Sequence, residues 1–348
     1  MSQNRVPARV EIEAGGRTFA SGLLLDLQSA LRRTAAGDLI GLTAHSPDAI
    51  ETDLDAWCRL TGHAIVARTA ESDATRWVIR YGAAPRDEFG ARPLGERLWL
   101  YVNFDCNLQC DYCCVRSSPT SPRRALGLDR VRRIAREGPQ LGVREFFVTG
   151  GEPFLLADID DILLALAEAA PVTLLTNGML FRGSRLARLR RLPRDRVTLQ
   201  ISLDSPDPTL HDAHRGPGTW QRAVEGIDLA LAEGFRVRLA ATVPSEEDEA
   251  RFRAFLDARQ VAPDDRIIRF VALRGFATSG VALSRADLVP EITITAEGVY
   301  WHPVGAEDDD LFVTRDLFPL ASAFEAVRKS LESERAHADR LAAVFRCA

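Results

Sequence analysis

The chain has 348 residues, of which 46% are hydrophobic and 27% charged, and its formal net charge is −5. That length allows two domains and a substantial core, and the mild acidity gives no global attraction to nucleic acid or acidic membranes. The opening residues MSQNRVPARVEIEAGG lack the apolar core of a signal peptide, and no apolar run reaches the roughly 18 residues of a membrane span, so a soluble cytoplasmic protein without nucleic-acid or membrane partners is expected.

In chain order, residues 6–81 read as a small α/β unit. A strand at Arg9–Glu13 precedes a leucine-rich helix at about Leu23–Arg33 and a strand at Asp38–Ala44. A second helix at about Thr52–Thr61 places Leu54, Trp57 and Cys58 at i, i+3, i+4 and stops at Gly62. Strands at His63–Arg68 and Arg76–Tyr81 complete a β-α-β-α-β-β order over residues 1–81. Residues 82–97 have the Gly, Pro, Ala and charge content of a linker.

From Leu98 strands and helices alternate. Strands are expected at Leu98–Asn103, Arg144–Thr149, Val172–Thr176, Val197–Leu203, Arg236–Val243 and Ile267–Leu273. Helices are expected at about Asp129–Leu141, Ile159–Ala169, Ser184–Leu189, Gln221–Ala232 and Glu246–Ala258. Short apolar strands bounded by turn residues suit a parallel sheet covered by helices. Six such strands are too few for a closed eight-stranded barrel, so residues 98–275 predict an open partial barrel with ligands at its strand tips. Residues 276–348 read as an extension: a hairpin of Glu291–Thr295 and Gly298–Pro303, an acidic loop at Glu307–Asp310, and a helix from about Leu320.

Six cysteines in a reducing compartment are not a disulfide framework. Cys106, Cys110, Cys113 and Cys114 crowd into nine residues, whereas Cys58 and Cys347 stand alone. Cys58 belongs to the core by its helical spacing, and Cys347 reads as an idle thiol. Three thiolates spaced three and two residues apart can each take one corner of an iron–sulfur cluster, and with three protein ligands one iron of a [4Fe–4S] group stays open. Structural zinc would want paired short spacings from two knuckles, and no second CxxC pair exists in the sequence. Cys114 beside Cys113 is poorly placed to share one tetrahedral ion.

The segment Phe104-Asp-Cys106-Asn-Leu-Gln-Cys110-Asp-Tyr-Cys113 resembles the CxxxCxxC signature of the radical S-adenosylmethionine (SAM) superfamily. The resemblance extends to Thr149-Gly150-Gly151-Glu152-Pro153 at the end of the next strand, and covers residues 98–273. It implies a partial (β/α)6 barrel in which Cys106, Cys110 and Cys113 hold one [4Fe–4S] cluster. It further implies that the open iron takes the amino and carboxylate groups of SAM. Reduction then splits SAM to methionine and a 5′-deoxyadenosyl radical that abstracts hydrogen from a substrate. By the same resemblance Tyr112 lies beside the adenine, while Gly150, Gly151 and Glu152 hold the methionine amine. Asn177, Ser202 and Asp204 meet the ribose, and Arg215 pairs with the SAM carboxylate. His211 and His214 are read as structural. An electron donor of ferredoxin or flavodoxin type is implied as partner.

Ile292-Thr-Ile-Thr-Ala-Glu-Gly298-Val-Tyr-Trp-His302 resembles the hairpin of SPASM or twitch extensions without their cysteines, and His302 reads as an ordinary loop histidine. The front unit resembles the TusA-type sulfur-carrier family through Ala35–His45 and Asp53–His63. Where that family carries its sulfur on cysteine, this chain has Ala20-Ser21-Gly22-Leu23, which excludes a persulfide relay through that site. The expectation is therefore an α/β protein: a radical SAM partial barrel preceded by a small TusA-like domain. The front domain would recognise a substrate, such as a peptide or carrier-bound molecule, or a partner. The alternative class is a non-enzymatic iron–sulfur or zinc scaffold, against which the intact GGEP turn argues.

Overall fold

The computed structural model describes residues 6–18, 22–31, 33–35, 37–47, 50–61, 63–71, 73–82 and 93–344. The chain divides into two compact units, Met1–Arg92 and Pro93–Ala348. Ala20, Ser21, most of the expected linker, and Cys347 lie outside the described residues.

The first unit runs β1 (Val10–Gly15), α1 (Leu23–Leu31), β2 (Leu39–Ala44), α2 (Glu51–Thr61), β3 (Ala64–Ala70) and β4 (Thr75–Arg80). Its sheet has the order β1-β2-β4-β3, with β1 parallel to β2 and β4 antiparallel to both its neighbours. Leu23, Leu27 and Ala30 recur at helical spacing along α1, and with Leu54, Trp57 and Cys58 of α2 they cover Ile40, Leu42, Trp77 and Ile79 of the sheet. Burial pushes the Cys58 thiol up to about 12, with Asp55 adding to the effect, so it is an inert core group.

The second unit begins with β5 (Arg97–Tyr101), α3 (Leu128–Glu137), β6 (Glu145–Thr149), α4 (Ile159–Ala169), β7 (Val172–Thr176), α5 (Ser184–Arg191) and β8 (Val197–Ser202). It continues with α6 (Pro208–Arg215), α7 (Thr219–Ala232), β9 (Arg236–Val243), α8 (Glu246–Ala258) and β10 (Arg266–Phe270). The last part holds β11 (Thr293–Ile294), β12 (Val299–Tyr300), β13 (Phe312–Thr314) and α9 (Leu320–Val344).

Strands β5 to β10 pair in sequence order, all parallel, as the alternation predicts. The sheet does not stop at β5. Among the described residues it has nine strands, because β11 adds parallel to the outer side of β5 and β12 and β13 follow antiparallel. The expected hairpin is present but shorter, with two residues in each strand. Buried residues such as Leu98, Leu100, Phe146, Val148, Leu174, Leu199 and Ile201, which alternate along their strands, form the core between the sheet and its helices.

Helix α6 is absent from the sequence expectation. Its start reads as a turn, Asp204-Ser-Pro-Asp-Pro, yet Asp207 accepts from Thr209 N at 2.8 Å and Pro208 sits in the first turn, where its missing N–H costs nothing. This helix carries His211, His214 and Arg215 to the site. Among the described residues no helix is long and apolar enough to cross a membrane.

Candidate active site at the strand tips

The cysteine loop follows β5 directly. Asn103, fully buried, donates from Nδ2 to the carbonyls of Asp105 and Glu152, both at 3.0 Å, and so ties the start of the loop to the turn after β6. The Gly150-Gly151 pair is required by this close approach. A Cβ on Gly150 would lie 2.2 Å from Asn103 Oδ1, and one on Gly151 2.2 Å from the Asp105 carbonyl. The glycines thus serve first to let two chain segments touch, and both also line the cavity.

That cavity, of about 240 Å³, opens at the C-terminal ends of the parallel strands. Cys106, Cys110 and Cys113 line it together with Tyr112, Gly150, Gly151, Asn177, Ser202 and Arg215. The structure therefore brings together all three expected metal ligands and six of the eight expected SAM contacts. Cys114, Ser117 and Arg269, which the sequence did not single out as contacts, line it too.

Glu152 and Asp204 are placed differently from expectation. Glu152 is fully buried outside the cavity lining, and its carboxylate accepts from Phe154 N at 3.0 Å, Thr176 Oγ1 at 2.8 Å and Asn177 N at 2.9 Å. It fastens the tip of β7 to the GGEP turn rather than offering a free carboxylate to an ammonium group. Burial raises its pKa even against these three donors. Asn177 is held further by Asn107 of the cysteine loop at 2.9 Å.

Asp204 accepts from Arg215 Nε at 2.6 Å and Nη2 at 3.2 Å, from Thr242 N at 3.1 Å, and from the Tyr112 hydroxyl. With four donors its lone-pair sites are taken up inside the protein, so it orients neighbours instead of meeting a ribose. Burial opposes its ionisation, but Arg215 and Tyr112 outweigh this and hold its pKa below the usual carboxylate range. Burial likewise disfavours the Arg215 cation, and Asp204 with Tyr112 and Cys110 outweighs it. Arg215 spends Nε and Nη2 on Asp204, and its planar fork retains Nη1 for a ligand.

The histidines each find a partner within the chain that the sequence did not show. His211 and His214 stand three residues apart on α6, yet their rings engage different groups. His211, fully buried, accepts at Nδ1 from Asp204 N at 3.2 Å, and His214 Nδ1 meets Asp111 Oδ2 at 2.9 Å. His302 accepts from Val304 N at 3.1 Å and caps the turn that brings Val304 to the cavity.

The donor set suits an iron–sulfur cluster. Burial pushes the Cys110 thiol up to about 11, with Arg215 partly opposing, and raises Cys106 further, Glu152 adding to the effect. Cations supplied by the bound group would compensate this cost and displace the protons. Main-chain N–H groups already aim at sulfur: Leu108 N lies 3.4 Å from Cys106 Sγ and Ser117 N lies 3.3 Å from Cys113 Sγ. Among the described residues no three His, Cys, Asp or Glu side chains gather around a point that would hold one metal ion. Three thiols that line one cavity suit an iron–sulfur cluster, which offers a separate iron to each thiolate.

The family profile described as Radical SAM superfamily matches residues 100–258. GTP 3′,8-cyclase of Pectobacterium atrosepticum is 31% identical over 201 residues, covering 56% of this chain and 60% of that protein. Probable GTP 3′,8-cyclase of Archaeoglobus fulgidus is 35% identical over 149 residues, covering 43% of this chain and 48% of that protein. This chain thus spans about half to three-fifths of the length of these curated relatives. The solved structure of histidine-tagged anSMEcpe with bound AdoMet shares the fold, with a TM-score of 0.52 and 13% identity, over 68% of this chain and 82% of that one. The cysteine loop, the Gly-Gly-Glu-Pro turn and the tips of β5 to β9 fall inside the matched stretch, while Arg269, Phe270, Ala272 and Val304 complete the cavity from beyond it: residues 100–258 are a radical SAM domain.

Proposed function

We propose that this protein is a radical SAM enzyme that holds one [4Fe–4S] cluster on Cys106, Cys110 and Cys113. The observation that carries the reading is the meeting of these three thiols, the Gly150-Gly151 turn and Arg215 around one cavity. When bound, the cluster supplies the electron for reductive cleavage of SAM to methionine and a 5′-deoxyadenosyl fragment that takes hydrogen from a substrate. The chain's own residues position SAM. Arg215, fixed by Asp204, presents Nη1 toward a carboxylate, and the backbone at Gly150 and Gly151 receives the amine. Ser202 and Asn177 at the tips of β8 and β7 offer short polar groups to the ribose. Tyr112, tethered through its hydroxyl to Asp204, gives a ring face for the adenine, next to a groove lined by Pro244, Val271 and Phe276. A low-potential donor of ferredoxin or flavodoxin type would supply the electron.

For the substrate, the relatives' name favours GTP, since two of them at 31% and 35% identity are named for it. The front unit supports a recognition role. Its β-α-β-α-β-β order resembles TusA-type domains, while Ala20 stands where their cysteine would be.

The test is anaerobic reconstitution. The protein should take up about four irons per chain, and Cys106→Ala, Cys110→Ala or Cys113→Ala should abolish this while Cys114→Ala leaves most of it. With dithionite it should form 5′-deoxyadenosine from SAM, faster with GTP present. A single zinc without iron, or a reduced-cluster EPR signal indifferent to SAM, would refute the proposal. An unchanged rate with GTP would discard that substrate alone.

A further inference from the structure

Ser117 follows the cysteine loop and is 3% exposed, yet its Oγ has no hydrogen-bond partner. Other hydroxyls of the segment are engaged within the chain. Ser118 Oγ shares hydrogen bonds with Thr120 Oγ1 at 3.1 Å and Ser121 Oγ at 3.0 Å, and Ser121 Oγ donates to the Arg116 carbonyl at 3.0 Å. Ser117 lines the cavity that the three cysteines share, and its main-chain N–H already points to Cys113 Sγ at 3.3 Å. A buried hydroxyl without a partner bears the full cost of its lost hydration, so such a group calls for an occupant that accepts from it.

We infer that Ser117 Oγ donates a hydrogen bond to sulfur at the Cys113 corner of the cluster and thereby raises the cluster's reduction potential. The inference rests on the radical SAM reading above. Reduction adds one negative charge to the cluster, and a donor aimed at its sulfur stabilises the more negative state more than the oxidised one. Together with its main-chain N–H, Ser117 would then contribute two donors at one corner. In this role it is a positioning and tuning residue, not one that touches substrate.

The experiment is a potentiometric titration of the reconstituted full chain, read by EPR, alongside pulsed EPR of the reduced protein before and after exchange into D2O. Ser117→Ala should keep about four irons but shift the reduction equilibrium about tenfold toward the oxidised form, which is 59 mV for one electron. It should also lose one exchangeable proton coupling. An unchanged potential in an iron-replete Ser117→Ala protein, or a coupling that persists because water takes the serine's place, overturns the inference. If Ser117→Ala cannot hold its cluster, Ser117→Thr and Ser117→Val, alike in size, decide: equal potentials overturn the inference, and a higher potential for Thr supports it. Wild-type protein that takes up no cluster would instead fail the radical SAM reading, and the iron assay separates the two outcomes.

Discussion

The main-chain N–H of Phe276 donates to the carbonyl of Cys113 at 2.9 Å, so the loop after β10 is fastened directly onto the cysteine loop. The residue before it makes this approach possible. Gly275 has a φ of +64°, and a Cβ there would lie 2.1 Å from the Cys113 carbonyl and 2.7 Å from that of Cys114.

Gly275→Ala is therefore expected to push the cysteine loop out of place. Left-handed backbone without glycine costs about 1–2 kcal/mol before the clash is counted. The variant should unfold at lower denaturant and take up less iron than wild type. Wild-type iron content with an unchanged unfolding midpoint would show that the fastening is dispensable.

Asp204 and Arg215 form a buried pair, with side chains 3% and 10% exposed. Removing the carboxylate in Asp204→Ala leaves a buried cation without its counter-charge and should destabilise by about 3–5 kcal/mol. Asp204→Asn keeps one acceptor oxygen. It should stay folded but bind SAM about tenfold more weakly, because Arg215 loses its two-point hold. The EPR change on SAM titration measures this, and equal affinities would dismiss the orienting role of Asp204.

His211 is buried and neutral. Burial lowers its pKa from 6.5 to about 4, the Arg215 cation contributing. The unfolded chain therefore binds the proton first as the solution is acidified, so this contribution to stability is complete above about pH 6.5 and disappears as pH falls through about 4. His302, lowered to about 3 by burial and by Arg269, Arg274 and Arg97, adds a parallel loss at lower pH. His211→Gln should flatten the decline in denaturation midpoint between these values without abolishing it. An equally steep decline in the variant would place the acid sensitivity elsewhere.

The front unit has a core of its own, built on Leu27, Leu42, Trp57 and Trp77. A chain shortened to start near Gly90 is expected to hold its cluster and to cleave SAM without coupling to substrate, while its affinity for the physiological substrate falls. Undiminished coupled turnover by the shortened chain would refute the recognition role, and insoluble shortened protein would favour a purely structural one.

Much of the second unit was legible because buried parallel strands are short apolar runs that little else resembles. Val172–Thr176 and Arg236–Val243 lie where they were expected, as do helices Ile159–Ala169 and Glu246–Ala258. Helix α6 was hidden because Asp-Pro opens turns and helices alike, and the capping bond of Asp207 shows only in three dimensions. The identities of Glu152 and Asp204 were readable, but their direction was not. A carboxylate at a strand tip serves a ligand or the chain according to which donors the neighbouring strands present, here Asn177 N and Thr242 N. Asn103 and Gly275 gave no local signal at all, since each acquires its role through a partner far along the chain.

The acidic loop before β13 is gripped from both sides. Arg116 and Arg124 reach Glu307 at 3.0 and 2.8 Å, and Arg274 reaches Asp308 and Asp310, both at 2.8 Å. Arg116 and Glu307 are 191 residues apart in the chain. At about 5–20 residues per second, a ribosome needs on the order of 10–40 s to travel from one to the other. Throughout that interval the cysteines are already outside or entering the exit tunnel, while the groups that clamp their loop do not yet exist. The nascent cysteine loop is thus a set of exposed thiols in search of a shape, and iron delivered early would meet an unfinished site. The cysteine loop therefore reaches its clamped form only after the acidic loop, in the last quarter of the polypeptide, has been made.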